Sequence, residues 1–214
     1  MSKMGTDRDW IAGLFAFFVA ACTALLYFYR PEILSRLCRE DGVVQNGTAL
    51  FYFLAACAFL WANKRDSFKN VWFWLYSLLF FAVAGEEISW GQRIFGMNTP
   101  EILMEMNIQK EINLHNISGI HGIARMAGVL VVLGICYLVP LAHRFIPALR
   151  SKIEALRMPV FPLELWLVPS LAVALMAAPR LLFHQIIFDL DEMGEMLLSV
   201  AFLFFSLRVL SRRR

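Results

Sequence analysis

Two adjacent glutamates stand in a nine-residue segment of this chain, Gly85-Glu86-Glu87-Ile88-Ser89-Trp90-Gly91-Gln92-Arg93. The segment ends a long apolar stretch. Carboxylates at the end of an apolar stretch are costly to desolvate, so their presence there is by default a functional-site hypothesis. The chemistry open to them is acid and base catalysis, proton exchange or cation binding.

Helical spacing divides the residues of this segment into two sets. Glu86, Ser89, Trp90 and Arg93 stand at positions i, i+3, i+4 and i+7, so a helix would place them on one stripe. That stripe has two interpretations: Glu86 and Arg93 form a buried structural ion pair, or they take part in a reaction. Glu87 points about a third of a turn away and has no local partner, which makes it the stronger candidate for chemistry.

A second polar cluster runs from Glu111 to His121. Glu111 and His115 stand four residues apart, a spacing that suits joint ligation of a metal ion or a carboxylate that orients an imidazole. His121 is out of phase with His115, and a single interfacial histidine is more often a hydrogen-bonded structural residue. The pair of Glu111 and His115 therefore carries the functional signal of this cluster.

A third polar cluster runs from His184 to Glu195. A continuous helix would align His184, Asp191 and Glu195, whereas a turn would make Asp191 or Glu192 the cap of a following helix. Acids near a helix N-terminus are favoured by the helix dipole, which gives Asp189, Asp191 and Glu192 a structural explanation. Glu195 lies a turn into the next apolar stretch, where that explanation is weakest.

The composition indicates which kind of fold positions these clusters. Hydrophobic residues make up 59% of the 214 residues, charged residues make up 17%, and the mean hydropathy is +0.61. Such a chain has too little polar surface for a soluble domain, so we expect an integral membrane protein. Six apolar windows approach the roughly 20 residues that cross a bilayer. They are Trp10–Tyr29, Val43–Ala62, Val71–Trp90, Ile123–Pro140, Leu163–Phe183 and Met193–Leu210.

These windows predict an all-α fold, a transmembrane bundle of about six helices that spans residues 1–214 as a single domain. Short interfacial helices are predicted after Thr99, with Pro100 at the first helical position, and in the loop from Arg144 to Pro162. The first window also resembles a lipoprotein signal that ends at Cys22. Its apolar run continues beyond this cysteine, which favours a retained helix.

Basic residues divide unequally between the two sides of a six-span chain. The N-terminus, second loop, fourth loop and C-terminus hold 13 of the 20 Lys and Arg residues, so the positive-inside rule predicts that both termini are cytoplasmic. Of the 17 acids, 12 fall on the other side, which gives formal charges of +8 inside and −5 outside. This asymmetry predicts contact with membrane lipids through anionic headgroups at the cytoplasmic face, and no nucleic-acid partner is expected.

The best candidate metal ligands stand at one membrane depth, at the beginnings or ends of predicted helices three to six. They are Glu87, His115, His184 and Glu195. Mixed carboxylate and imidazole ligands suit zinc, iron or manganese, and a helix bundle brings such positions together. In this hypothesis Glu111 orients His115, Arg93 contacts an anionic headgroup or an oxyanion, and Glu86 stands beside it as a further candidate catalytic residue.

The function that such a site predicts is that of a metal-dependent hydrolase acting on a lipid or lipid-linked substrate. Two alternatives remain open. In the first, the protein is a non-catalytic membrane subunit or a cation or proton pathway, and the acids and histidines satisfy one another or a partner protein. In the second, it is a metal-independent intramembrane protease in which carboxylates act as acid and base.

Two short motifs resemble a pattern found in uncharacterised polytopic membrane proteins of bacteria. They are Gly-Glu-Glu-x-Ser-Trp-Gly-Gln at 85–92 and Asn-Leu-His-Asn at 113–116. The resemblance implies a location in the bacterial inner membrane and implies no known activity.

Two families of intramembrane protease are similar in part. Glutamic proteases of the prenyl-processing type have two adjacent Glu, then Arg, then two His, an order that this chain follows, although its Arg lies two residues further along. The residues in that order are Glu86, Glu87, Arg93, His121 and His184. Rhomboid proteases also have six spans, and Ser118-Gly119 resembles their nucleophile element, in which Asn116 here replaces the first Gly.

Overall fold

The computed structural model describes residues 3–114, 116–183 and 187–211. Helices form nearly all of its regular structure, and no β-strand occurs in these ranges, so the predicted all-α helix bundle is confirmed. The α-helices are α1 (Lys3–Tyr29), α2 (Pro31–Cys38), α3 (Val43–Arg65), α4 (Val71–Glu87), α5 (Glu101–Met106), α6 (His121–Leu133), α7 (Val139–Phe145), α8 (Pro147–Ala155), α9 (Leu167–Phe183) and α10 (Phe188–Ser211). Short 3-10 turns cover Ser89–Gly91 and Leu163–Leu165.

Four helical stretches of the described chain are long and apolar enough to cross a membrane. They are Trp10–Tyr29, Val43–Arg65, Met126–Phe145 and Phe188–Ser211. The other two predicted spans correspond to α4 and α9, which have 17 residues each. At 1.5 Å per residue such helices are about 26 Å long, slightly less than the roughly 30 Å of bilayer hydrocarbon. The fold fits an integral membrane protein with four full-length spans where the sequence predicted six.

A π-helical turn interrupts the third of these spans at Gly134–Leu138, between α6 and α7. Its cause is Pro140, which lacks an N–H and whose ring crowds the carbonyl of Cys136, four residues earlier. The wider turn keeps the helix continuous around the proline. It also directs Tyr137 toward α9, where its hydroxyl lies 3.0 Å from the Ser170 hydroxyl.

An aromatic layer fills the centre of the bundle between α3, α4 and α10. Phe59 of α3 contacts four rings with centroid distances of 5.0 to 6.0 Å, and Phe80 and Phe202 lie 4.8 Å apart. The buried rings of this layer are Phe59, Phe73, Tyr76, Phe80, Phe202 and Phe205. Each aromatic pair contributes roughly 0.5 to 1.5 kcal/mol beyond its buried area. We call these six residues the aromatic layer.

The first group of connecting segments meets at one end of the bundle. Arg93 pairs there with Glu40 and Asp41 of the α2–α3 connection. The hydroxyl of Ser35 donates to Asp189 of α10 at 3.5 Å. We call this the acidic end, because it holds the segments in which the sequence concentrates its carboxylates.

The second group of segments meets at the opposite end. Arg157 donates to both oxygens of Asp66 at 2.7 Å, and Arg208 lies 3.3 Å from Glu164. We call this the basic end. The two ends collect the segments that the sequence analysis assigned to opposite sides, and the cytoplasmic location of the basic end stays a prediction.

Cysteine labelling tests that location. In a cysteine-free background, Glu105→Cys at the acidic end should react with a membrane-impermeant thiol reagent in intact cells, while Ser151→Cys at the basic end should not. Both positions are exposed, so burial does not protect either one. After cell lysis both should react, and labelling of Ser151→Cys alone in intact cells would reverse the orientation.

Candidate functional site

Helix α4 ends at Glu87 because three successive residues adopt left-handed backbone conformations. Ser89, Trp90 and Gly91 have φ angles of 45°, 54° and 77°. Left-handed conformations are rare for residues with a Cβ and persist only where surrounding contacts hold them. The turn therefore overrides the helical spacing of the sequence, and the predicted stripe of Glu86, Ser89, Trp90 and Arg93 on one helix is wrong.

The Trp90 side chain folds back over the last turn of α4. A Cβ on Gly85 would lie 2.8 Å from its ring, so only glycine leaves room for this contact. The ring nitrogen donates to one oxygen of Glu86 at 2.7 Å, and the other oxygen accepts from the backbone N–H of Leu114, also at 2.7 Å. Glu86 thereby joins the turn to the segment that carries the second sequence motif.

Arg93 pairs with carboxylates from two other segments of the acidic end. Its guanidinium contacts Asp41 and Glu111 directly and lies 3.4 Å from Glu40. Glu86 is not among its partners in the described part of the chain, so the predicted ion pair of Glu86 and Arg93 is wrong. The reason is the left-handed turn, which carries Arg93 off the axis of α4.

Glu111 is the most heavily bonded acid of this end. Its side chain is buried, one oxygen accepts from Arg93, and the other accepts from the Ser89 hydroxyl and, at 3.1 Å, from the Asn113 amide. Glu111 lies in a loop between α5 and α6, so the helical spacing to His115 does not apply. His115 lies outside the described residues, and its orientation by Glu111 stays a prediction.

Buried amides complete the loop cap, which we define as residues 91–120. The Asn107 amide donates to the backbone and side-chain oxygens of Asn113, both at 2.8 Å, and Gln92 accepts from the N–H of Ile112 at 2.7 Å. Sequence reasoning missed these residues. The signal that was available is the density of amide side chains, which stand at Asn107, Gln109, Asn113 and Asn116.

The two short helices predicted between the apolar windows are present as α5 and α8, and their location at the membrane interface stays a prediction. α5 begins at Glu101, one residue later than predicted, with Pro100 at the N-cap. The Thr99 hydroxyl does not cap the helix. It accepts from the Gln92 amide at 2.6 Å and donates to the Lys110 carbonyl at 2.7 Å, so it holds the loop cap together.

Cys38 joins α2 to α10 at this end. Its thiol donates to the Asp189 carbonyl at 3.5 Å, and its side chain is buried. Burial raises the pKa of the Cys38 thiol to about 12, and the nearby carboxylates of Asp189 and Glu192 add to the effect. A thiol with so high a pKa is neutral at physiological pH, so Cys38 is a packing residue and not a nucleophile.

Glu87 differs from the other polar residues of its motif. Among the described residues it has no hydrogen-bonding or ion-pair partner, although its side chain is half-buried. Among the described residues, the carboxylates that interact with it electrostatically are Glu195 and Glu192 of α10 and the adjacent Glu86. Glu87 and Glu195 in turn act on the hydroxyl of Tyr52 in α3. The charges of Glu87 and Glu195, two of the four predicted ligands, therefore interact.

The other two predicted ligands, His115 and His184, lie outside the described residues. Among the residues that the structure does describe, no three His, Cys, Asp or Glu side chains are placed to hold one metal ion. α10 begins at Phe188, so Asp191 and Glu192 lie in or just after its first turn and neither is its cap. The predicted zinc, iron or manganese site stays a prediction.

Comparison with known proteins assigns the chain to no group. No family model matches it, and no curated protein or solved structure is significantly similar to it. The resemblance to bacterial polytopic membrane proteins therefore depends on the two motifs alone. Both motifs fold together, since Ser89 accepts from the Asn113 amide and Glu86 accepts from the backbone N–H of Leu114.

A pair of glycine variants tests the packing of Trp90. Gly85→Ala should lower the free energy of unfolding by roughly 1 to 3 kcal/mol, because the new Cβ would displace the Trp90 ring. Gly47→Ala is the control, since nothing lies within 4 Å of a Cβ at this helical position, and it should be neutral or stabilising by up to about 1 kcal/mol. Equal effects in detergent unfolding would contradict the contact.

A double-mutant cycle tests the partner of Arg93. Arg93→Met and Glu111→Met should couple by roughly 1 to 3 kcal/mol in detergent unfolding, because their charged groups are in direct contact. The comparison cycle of Arg93→Met with Glu86→Met should couple by less than about 0.5 kcal/mol. A larger coupling in the second cycle than in the first would restore the ion pair that the sequence predicted.

Proposed function

We propose that the protein is a non-catalytic membrane protein whose acidic end binds and releases protons through the carboxylates of Glu87, Glu192 and Glu195. The observation that carries this proposal is the position of Glu87. The other polar side chains of its motif are engaged in holding the turn and the loop cap, whereas the charges that act on Glu87 include Glu195 and Glu192 of another helix.

The electrostatics of this site favour proton binding. Carboxylates that share a half-buried site repel one another when all are charged, so such a group takes up protons or cations. Glu87 and Glu192 have half-buried side chains, and the charge of Glu192 acts on Glu87. A group of this kind exchanges protons in two or more coupled steps that belong to the cluster and not to one residue.

Tyr52 of α3 also supports a proton-binding site at the acidic end. Its side chain is only 7% exposed, and the charges of Glu87 and Glu195 act on its hydroxyl. We therefore assign Tyr52 to the same electrostatic group.

The aromatic layer favours exchange with the acidic end alone. Its rings are buried and in mutual contact, which leaves an apolar barrier between the carboxylate site and the basic end. Protons do not cross such a layer without polar groups or water. The proposal is therefore a site that responds to protons on one side of the membrane, not a complete transmembrane pathway.

The hydrolase hypothesis receives less support from the described residues. Arg93 and Glu111, which it assigned to catalysis, neutralise each other and are bonded to further loop residues. An arginine in contact with carboxylates has little capacity left for a headgroup or an oxyanion. Metal-dependent hydrolysis of a lipid stays a prediction that rests on His115 and His184.

Infrared difference spectroscopy tests the proton site. Reconstituted wild-type protein should show a protonated carboxyl band that weakens as the pH is raised, because the cluster loses its protons. Glu87→Gln should weaken that band and raise the unfolding free energy at the high-pH end by roughly 1 to 3 kcal/mol. The control is Glu105→Gln, which removes one exposed carboxylate of the same end and should change neither quantity.

Two outcomes would contradict the proton site. One is a wild-type spectrum without a titrating carboxyl band. The other is a Glu87→Gln spectrum identical to that of the wild type. Elemental analysis of protein purified without chelators gives an independent check, because a stoichiometric transition metal that is lost in His115→Ala and His184→Ala would favour the hydrolase hypothesis instead.

A further inference from the structure

Two adjoining hollows lie at the basic end, between α1, α7 and the segment that leads into α9. The first is an apolar groove along α1 with a volume of about 330 Å³, and the second is a polar hollow of about 200 Å³. Trp10, Gly13, Phe17 and Leu167 line the groove. Glu164 lines both, so the two hollows adjoin at this side chain.

Two basic side chains line the polar hollow, and one of them, His143, lies 3.2 Å from Glu154. His143 and Arg144 line it, and Arg150 donates to the backbone oxygens of both residues at 2.8 and 2.7 Å. Arg144 is exposed and pairs with no carboxylate in the described part of the chain. The acid that borders the hollow, Glu164, is neutralised by Arg208 at 3.3 Å. The hollow therefore has a net positive character.

We propose that these two hollows form one binding site for an anionic phospholipid. The phosphate lies beside Arg144 and Arg150, and an acyl chain lies in the groove along α1. Guanidinium groups bind phosphate through charge-assisted hydrogen bonds, and the excess of basic residues at this end adds attraction.

The groove identifies the ligand as a lipid and not a free anion. Trp10, Gly13 and Phe17 belong to the full-length span Trp10–Tyr29, so the groove is continuous with the lipid-facing surface. Trp10 lies at the end of that span, where tryptophan is typical of the membrane interface. A soluble phosphate would use the polar hollow and leave the apolar groove without a role.

The site predicts selective binding of anionic lipid to the purified full-length protein. Native mass spectrometry in detergent should show binding of phosphatidylglycerol in preference to phosphatidylcholine by about tenfold, since only the former carries net charge. Arg144→Gln should remove that preference, and Gly13→Leu should weaken binding of both lipids. A Cβ on Gly13 already lies 3.4 Å from Leu167, so a leucine there would fill the groove.

Matched controls keep the test decisive. Lys152→Gln removes one exposed charge from the same end, and Gly47→Leu adds the same bulk to a helix position with open space; both should bind like the wild type. Equal loss in Arg144→Gln and Lys152→Gln would overturn the site in favour of diffuse charge attraction. Competition by millimolar inorganic phosphate that matches the effect of the lipid would overturn the lipid assignment. If Gly13→Leu does not fold, Arg144→Gln decides alone.

Discussion

The contact of Arg93 with Asp41 and Glu111 organises the acidic end of this protein. It joins the α2–α3 connection, the turn after α4 and the loop cap, which are far apart in the sequence. Arg93 is partly exposed and Glu111 is buried, so the pair holds one desolvated carboxylate that no other positive group contacts among the described residues. Without the guanidinium, Ser89 and Asn113 would be left to stabilise a buried charge alone, which is costly.

The left-handed turn follows from the same constraint. If α4 continued, Arg93 would lie on the same face of the helix as Glu86, seven residues and about two turns further along. Three residues in a strained conformation instead carry Arg93 to Asp41 and Glu111, and the contacts of Trp90 with Gly85 and Glu86 hold that strain. Backbone strain of this kind costs of order 1 to 3 kcal/mol per residue, so the ion pairs and buried hydrogen bonds beyond the turn are what stabilise it.

Hydropathy and charge predicted much of the fold. The apolar windows mark the long helices, and the unequal distribution of charged residues separates the connecting segments into two groups. The windows placed the long helices within about five residues, although four of the six predicted spans are long and apolar enough to cross a membrane in the described chain. The sides of the membrane on which the connecting segments lie stay a prediction. Hydropathy and charge failed where a tertiary contact overrides local periodicity. The spacing of Glu86 and Arg93 fits a helix that the chain leaves at Glu87, and Glu111 lies in a loop. The amide network of Asn107 and Asn113 has no periodic signal, since its bonds depend on loop geometry.

Glu87 stays a predicted site residue, because no neighbour in sequence compensates its charge. The fold compensates Glu86 and Glu111 by hydrogen bonds and ion pairs, whereas the charges of Glu195 and Glu192 act on Glu87. If stability were the only constraint, a neutral residue would be expected in place of such a glutamate. Every other polar side chain of the motif holds the turn or the loop cap. Glu87 bonds to neither among the described residues, so the chemistry of this end is best sought at Glu87.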